Sequence, residues 1–369
     1  MTTRELFLTL LRFKSVTPDD GGAFEFIKQY LSDFEAIELN IHDVKNLFLI
    51  KRFGKGTHLC FAGHIDVVPA GEGWHSEPFE PKIEDNLIYA RGAQDMKSGV
   101  CAFLKACHDV KNFDGTLSIL LTSDEEGDAK YGTVEMLKYL QQNALLPEYA
   151  IVAEPTSESV FGDAIKIGRR GSINGVIELF GKQGHAAYPQ KAINPVHQIA
   201  PLLSQLAGKY LDQGDASFEP SQIVITDIRG GMEVTNVTPG KLKIMFNVRN
   251  STYTNKADVQ NYVENVLKGL SYTLSLSQSA KPFLTQPDTP LVKTMQSALL
   301  QKANIKTKLS TAGGTSDARF FGEFGIATVE CGVVNDTIHA PNEYTKMEDV
   351  ETLVDVFSEV INSLIKETK

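Results

Sequence analysis

A set of ionisable side chains sits at the ends of apolar segments, and their types suit metal chemistry. Residues 61–69 read FAGHIDVVP, an apolar run carrying His64 and Asp66 two positions apart. On a strand, residues i and i+2 share a face, so both side chains project the same way. A carboxylate beside an imidazole takes one ring N–H, fixes the tautomer and frees the other nitrogen for a metal. Further on, RGAQDMKSG carries Asp95, SDEEGD carries Asp124, Glu125 and Glu126, VAEP carries Glu154, and NDTIHAPNE carries His339. Singly, each has an ordinary explanation: a polar strand end, a carboxylate in a first helical turn, a solvated acidic loop, a turn cap, a surface histidine. Together they fall at the carboxyl ends of successive apolar strands, where open α/β sheets gather ligands. Zinc accepts imidazole nitrogen and carboxylate oxygen, and its catalytic sites keep a position for water. Two divalent cations facing Asp95, Glu126, Glu154 and one hydroxide balance in formal charge, whereas a single cation leaves carboxylates facing one another.

The elements that must hold these residues alternate. The spacing predicts helices over Phe24–Phe34, Ser98–Val110 and Gly132–Asn143, and apolar strands over Asn46–Phe53, His58–Val68, Thr116–Thr122 and Tyr149–Ala153. Uniformly apolar strands between helices indicate a mostly parallel sheet covered on both faces. From residue 171 the pattern changes. Ser172–Gly181 and Lys241–Arg249 alternate as half-exposed strands, with a long helix near Asn194–Leu211 and a strand Gln222–Asp227 between them. A helix Lys256–Leu267 and a strand Tyr272–Ser277 follow. That β-α-β-β-α-β order suits a ferredoxin-like layer. The first style returns with helix Thr289–Ala303, loop Thr311–Asp317, strand Ala327–Cys331 and helix Met347–Ile365. The expected class is therefore α/β: a mostly parallel sheet flanked by helices, residues 1–170 and 282–369, interrupted by an inserted α+β domain, residues 171–281.

Composition narrows the partners. The chain has 369 residues, 42% of them hydrophobic and 22% charged, with a formal net charge of −10. An acidic chain lacks the basic footprint of a nucleic-acid surface. No uncharged apolar run reaches the length of a membrane span. The start, MTTRELFLTLLRF, reads as an amphipathic helix and not as a secretory signal. Cys60, Cys101, Cys107 and Cys331 form no C-x-x-C pair and read as buried free thiols of a cytoplasmic protein.

The ordered motifs GHIDVVP, RGAQDMKSG, TSDEEGDAKYG, VAEPT and HAPNE resemble the co-catalytic dizinc aminoacylase/carboxypeptidase superfamily over essentially the whole chain. Within it, IGRRGS, GHAAYP and STAGGTSDARF are most similar to the succinyl-diaminopimelate desuccinylase family. The resemblance implies two Zn²⁺ per subunit, with Co²⁺ as a possible substitute, on a dizinc aminopeptidase-like catalytic domain. Asp95 would bridge the ions, Glu126 and His339 complete one site, and His64 and Glu154 the other. Glu125 matches the general base, and Asp66 the orienting partner of His64. A cis peptide is implied at Asp95–Met96. His185, which from the residues alone is a turn histidine, matches a group that reaches the neighbouring subunit's site and steadies the oxyanion. The inserted domain would then be the lid and homodimer contact.

The implied reaction is hydrolysis of N-succinyl-LL-2,6-diaminopimelate, in lysine and diaminopimelate biosynthesis, by zinc-activated water with Glu125 moving the proton. No nucleophilic serine or cysteine motif is present; the serines of STAGGTSD lack a G-x-S-x-G context. A substrate with three carboxylates needs local cations, and Arg169, Arg170 and Arg249 are the candidates. Positions matching Arg169, Tyr188, Asn236, Arg249, Gly314 and Thr315 contact substrate in the family. Arg170 is equally suited to a salt bridge at the domain junction, and Gly313–Gly314 to a turn. The nearest alternatives are an acetylornithine deacetylase or a dipeptidase on the same scaffold. A non-catalytic binding protein is a third, and its mark would be loss of Glu125 or of a ligand.

Overall fold

The structure is a computed structural model that describes residues 1–364. The chain divides into two compact units. The first takes in Met1–Gly168, Leu284–Ser310 and Ser316–Lys369, and the second Arg169–Phe283 with Thr311–Thr315. The sequence reading places that short loop, and residues 169, 170, 282 and 283, in the first domain. The loop is drawn into the second unit because the Thr311 hydroxyl donates to the Ser217 carbonyl and Arg169 Nη1 donates to the Ala312 carbonyl at 3.0 Å.

In the first unit eight strands form one sheet. Their order is Glu35–Ile41, Val44–Arg52, Gly115–Thr122, Thr57–His64, Tyr149–Val152, Ala327–Glu330, Ala164–Lys166 and Lys308–Ser310. The four central strands pair in parallel. Successive side chains of a strand face opposite ways. In Thr57–His64 both sets are buried, Leu59 and Phe61 as well as Cys60 and Ala62, so both faces are covered. One group of helices, Thr3–Arg12, Lys97–Asp109, Pro290–Ala303 and Met347–Ser363, packs together. A second pair, Thr133–Gln142 and Ala318–Glu323, packs separately. The last helix is expected over 347–365; its residue 365 lies outside the described residues. The strand Glu35–Ile41 is not anticipated. It is a sheet edge, EAIELNI, in which no side chain is fully buried, and it pairs with its neighbour from Ile41 back to Glu35.

His58, on the strand Thr57–His64, lies 2.8 Å through Nε2 from the Ser118 hydroxyl. Burial, with a smaller push from Arg52, lowers its pKa from 6.5 to about 4. A depressed histidine is neutral in the fold and protonated more readily when unfolded. Its contribution is therefore whole above pH 6.5 and is lost as the pH falls towards 4, by at most roughly 1.4 kcal/mol per pH unit. His58→Gln is expected to gain stability relative to the unsubstituted chain over that window. Urea midpoints taken through it would show the difference; a constant gap between the two proteins would contradict the assignment.

The second unit is built on a four-stranded antiparallel sheet in the order Gln222–Gly230, Lys241–Arg249, Ser172–Phe180, Tyr272–Ala280. One face buries Ile173, Ile177, Ile244 and Phe246 with Val259 and Val263 of the helix Lys256–Val266. The expected long helix near Asn194–Leu211 does not form. Only Pro195–Ile199 is α-helical, followed by a 3₁₀ turn at Leu203–Gln205. Pro201 is the reason: it has no N–H to give, and its ring collides with a carbonyl one turn back.

Candidate metal centre

Register brings the polar ends together. In the parallel pairing His64 stands opposite Thr122, so the Asp124–Glu126 segment starts at the same edge. On its other side Ala62 stands opposite Val152, which places Glu154 at that edge too. Asp95 shortly precedes the helix Lys97–Asp109, with Met96 between them, and the Asp95–Met96 peptide is cis. His339 follows the strand Ala327–Glu330 in a left-handed backbone conformation, φ 61°.

His64 Nε2 lies 3.1 Å from Asp95 Oδ1, 3.8 Å from Glu154 Oε1 and 4.0 Å from Glu125 Oε2. His339 Nε2 lies 3.4 Å from Asp95 Oδ2 and 3.1 Å from Glu126. The two oxygens of Asp95 thus face two different imidazoles. Ligating atoms of His64, Glu125 and Glu154 fall within 4.8 Å of one another, as do those of His64, Asp95 and Glu126. All six side chains meet in one place, and each is largely buried except His339, half of which is exposed.

Asp66 touches this cluster through atoms other than those anticipated. His64 Nδ1 is 2.8 Å from the backbone carbonyl of Asp66 and 3.7 Å from its carboxylate, so the carbonyl is the closer partner. The carboxylate instead accepts the Glu126 N–H at 3.1 Å, while its other oxygen, Oδ1, is buried with no hydrogen bond. Burial raises the Asp66 carboxyl to about 6.

Electrostatics give the cluster its appetite for cations. Burial first, then the charges of Asp317, Asp95 and Glu126, push Glu125 well above the ordinary carboxylate range. Burial and Asp95 do the same to Glu154. Burial also opposes ionisation of Asp95, but hydrogen bonds from His339 and His64 outweigh it and hold that carboxyl very low. Asp95 and Glu126 raise His339 to about 10. Burial disfavours charge on His64, yet Asp95, Glu154, Asp66 and Glu125 together raise it. An imidazole nitrogen and a carboxylate oxygen both present lone pairs, so contacts near 3.1 Å need a proton or a cation between them. The nitrogen and oxygen donors present here are those a divalent metal takes.

In the second unit, His185 pairs with Val237 in a short antiparallel ladder, Gly184–His185 with Val237–Thr238. The Ala186 N–H donates to the Asn236 carbonyl at 2.9 Å, and the rings of His185 and Tyr188 stand 5.8 Å apart. His185, Tyr188 and Asn236 are therefore neighbours, and all three are exposed. Arg169 is buried and bonded to the loop that carries Gly314 and Thr315. A Cβ on Gly313 would come 2.5 Å from Arg169 Nη1, and its φ of 105° also demands glycine. Arg249 is exposed at the end of its strand, opposite Gln222. Arg170 makes a 3.3 Å ion pair with Glu219.

Residues 60–363 match the model of peptidase family M20/M25/M40. The chain belongs to this family. A succinyl-diaminopimelate desuccinylase of a Nitratiruptor species is 63% identical over 363 residues, covering 98% of this chain and 100% of that protein. A protein of the same name from Nautilia profundicola is 61% identical over 361 residues, 98% of this chain and 99% of its own. Among solved structures, the aminopeptidase PepT of Bacillus cereus superposes with a TM-score of 0.81 at 21% identity, covering 99% of each chain. The YXEP protein of Bacillus subtilis, described as a dinuclear metal-binding M20 peptidase, gives 0.69 at 14% identity over 98% of this chain and 99% of that one. The mostly parallel sheet with flanking helices is the M20 fold. Two residues of this M20 chain stand within the motifs quoted above without a role there. Arg91 and Glu343 are buried against each other beside Asp95, which no spacing rule discloses.

Proposed function

We propose that the chain removes succinate from N-succinyl-LL-2,6-diaminopimelate, giving LL-diaminopimelate for diaminopimelate and lysine biosynthesis. It is a metal-dependent hydrolase of amide bonds. The observation that carries the chemistry is the placement of His64 and His339 on opposite oxygens of Asp95, with Glu154 and Glu126 beside them. The substrate is supported by the desuccinylase relatives above 60% identity over nearly the whole chain. His64 and Glu154 would hold one cation and Glu126 and His339 the other, with Asp95 shared. Bound there, two divalent ions, Zn²⁺ by the donor set, lower the pKa of water and polarise the amide carbonyl.

Glu125 is the proton carrier. It is buried among carboxylates that raise its proton affinity, so it takes a proton from the attacking water and returns it to the leaving amine. Asp66 keeps His64 and Glu126 aligned. His185, from a partner copy, stabilises the oxyanion, and Arg169, Tyr188, Asn236, Arg249, Gly314 and Thr315 hold the substrate. A homodimer through the second unit fits its outer strand Gln222–Gly230, which leaves Val224 and Ile228 nearly half exposed. Among the described residues no helix is long and apolar enough to cross a membrane, and all four cysteines are buried and free. Both agree with a cytoplasmic enzyme.

Turnover of N-succinyl-LL-diaminopimelate, N-acetylornithine and simple dipeptides tests the substrate. The succinyl compound is expected to lead. A preference for acetylornithine above about tenfold, roughly 1.4 kcal/mol of transition-state discrimination, would sink the assignment.

A further inference from the structure

Two ligands of the centre, Asp95 and His339, lie far apart in the chain, and a single buried ion pair ties their backbones. The Arg91 side chain is 2% exposed and that of Glu343 1%, and Arg91 Nη1 donates to Glu343 Oε2 at 2.8 Å. The same carboxylate accepts the backbone N–H of Gly92 at 3.0 Å, of Gln94 at 2.7 Å and of Asp95 itself at 3.1 Å. Its two oxygens thus grip the whole turn that presents Asp95. The guanidinium grips the other side. Arg91 Nη2 donates to the His339 carbonyl at 3.3 Å and to the Ala70 carbonyl at 3.0 Å, and Nη1 to the Ala340 carbonyl at 3.2 Å. The Trp74 ring covers the guanidinium at 5.1 Å.

Neither side chain belongs to the cluster of ligating atoms. Both act on the main chain of residues that do. His339 needs such a hold, because its left-handed backbone is uncommon for a residue with a side chain. Gln94 adds a second tie: its Nε2 donates to Asp336 at 2.6 Å and its Oε1 accepts the Thr337 N–H at 2.9 Å. Metal sites require ligands fixed to within about 0.5 Å by the groups behind them. A guanidinium bonded to carbonyls and to a carboxylate that takes three peptide N–H groups supplies that rigidity at a depth where water cannot compete.

We infer that the Arg91–Glu343 pair is a positioning element for the cation held by Asp95, Glu126 and His339. The inference rests on the metal-binding reading given above. Glu343→Gln preserves shape, but its amide nitrogen cannot accept the hydrogen bonds that one carboxylate oxygen now takes. Arg91→Lys keeps the charge and cannot reach all of the carbonyls. In the full-length chain, Zn²⁺ titrated against a competing chelator should show two tight ions for the unsubstituted protein. Glu343→Gln is expected to weaken the ion held by Glu126 and His339 by about 10–100-fold, and the other by less through the shared Asp95; Arg91→Lys is expected to have the smaller effect of the two variants. The Co²⁺-loaded variants should show an altered visible spectrum for one site. A lowered melting temperature with both Zn²⁺ affinities unchanged would mean a merely structural ion pair and would overturn the inference. If Glu343→Gln does not fold, Arg91→Lys decides by the same titration. An unsubstituted chain that takes up no Zn²⁺ would remove the metal-binding reading first, and this inference with it.

Discussion

Glu125→Gln is expected to lower kcat by about 10²–10⁴-fold, the usual worth of a positioned general base, while the cation content stays unchanged. Glutamine matches glutamate in size and still offers a carbonyl oxygen, so packing in the buried pocket is preserved. It cannot accept the proton that water must lose or return one to the departing amine. The loss corresponds to roughly 2.7–5.4 kcal/mol of transition-state stabilisation and should appear in kcat, with KM little altered. The two measurements separate two roles that the geometry alone allows. Glu125 lies within 4.8 Å of ligating atoms of His64 and Glu154, close enough to be a ligand itself. Elemental analysis showing one ion missing from the variant would make it a ligand. Turnover within tenfold of the original would exclude it as the base.

How much could be read beforehand follows from what each signal depends on. His64, Glu126 and Glu154 were accessible because uniformly apolar strands announce a parallel sheet, and the register of such a sheet fixes which ends coincide. Asp95 and His339 fall at the same strand ends, but their turns have no periodicity of their own, and assigning Asp95 as the shared ligand and His339 to one ion takes the family motifs. Asp66 was placed correctly beside His64, but a two-residue spacing cannot say whether the carbonyl or the carboxylate makes the bond. The helix near Asn194–Leu211 was overextended because its apolar spacing continued past Pro201, where hydrogen bonding could not. The edge strand Glu35–Ile41 is not anticipated although Ile37, Leu39 and Ile41 alternate with Glu38 and Asn40, because that alternation spans only five residues and none of its side chains is fully buried. The Arg91–Glu343 pair was invisible for a different reason. A charged residue is ordinarily a solvated one, and only the packing of Trp74 and two backbone turns around it reverses that expectation.

Asp95→Ala is expected to abolish turnover, by more than about a thousandfold, and to remove the stabilisation that cations confer. Of the candidate ligands, Asp95 alone touches both imidazoles, at 3.1 Å and 3.4 Å, so its loss opens both halves of the centre at once. Glu154→Ala or Glu126→Ala would each leave one half with Asp95 still in place. A ligand that binds only the folded chain stabilises it by RT ln(1 + [L]/Kd), about 2.7 kcal/mol for a site at a hundredfold excess over Kd. For a domain of this size that is a rise of several degrees in melting temperature. The unsubstituted chain should show the rise as Zn²⁺ is added after chelation, and Asp95→Ala should show little or none. Because each protein is compared with its own metal-free state, any intrinsic cost of removing the carboxylate cancels. An Asp95→Ala chain that gains as many degrees from Zn²⁺ as its parent would show that the cations bind elsewhere, and the assignment of the shared ligand would fall with it.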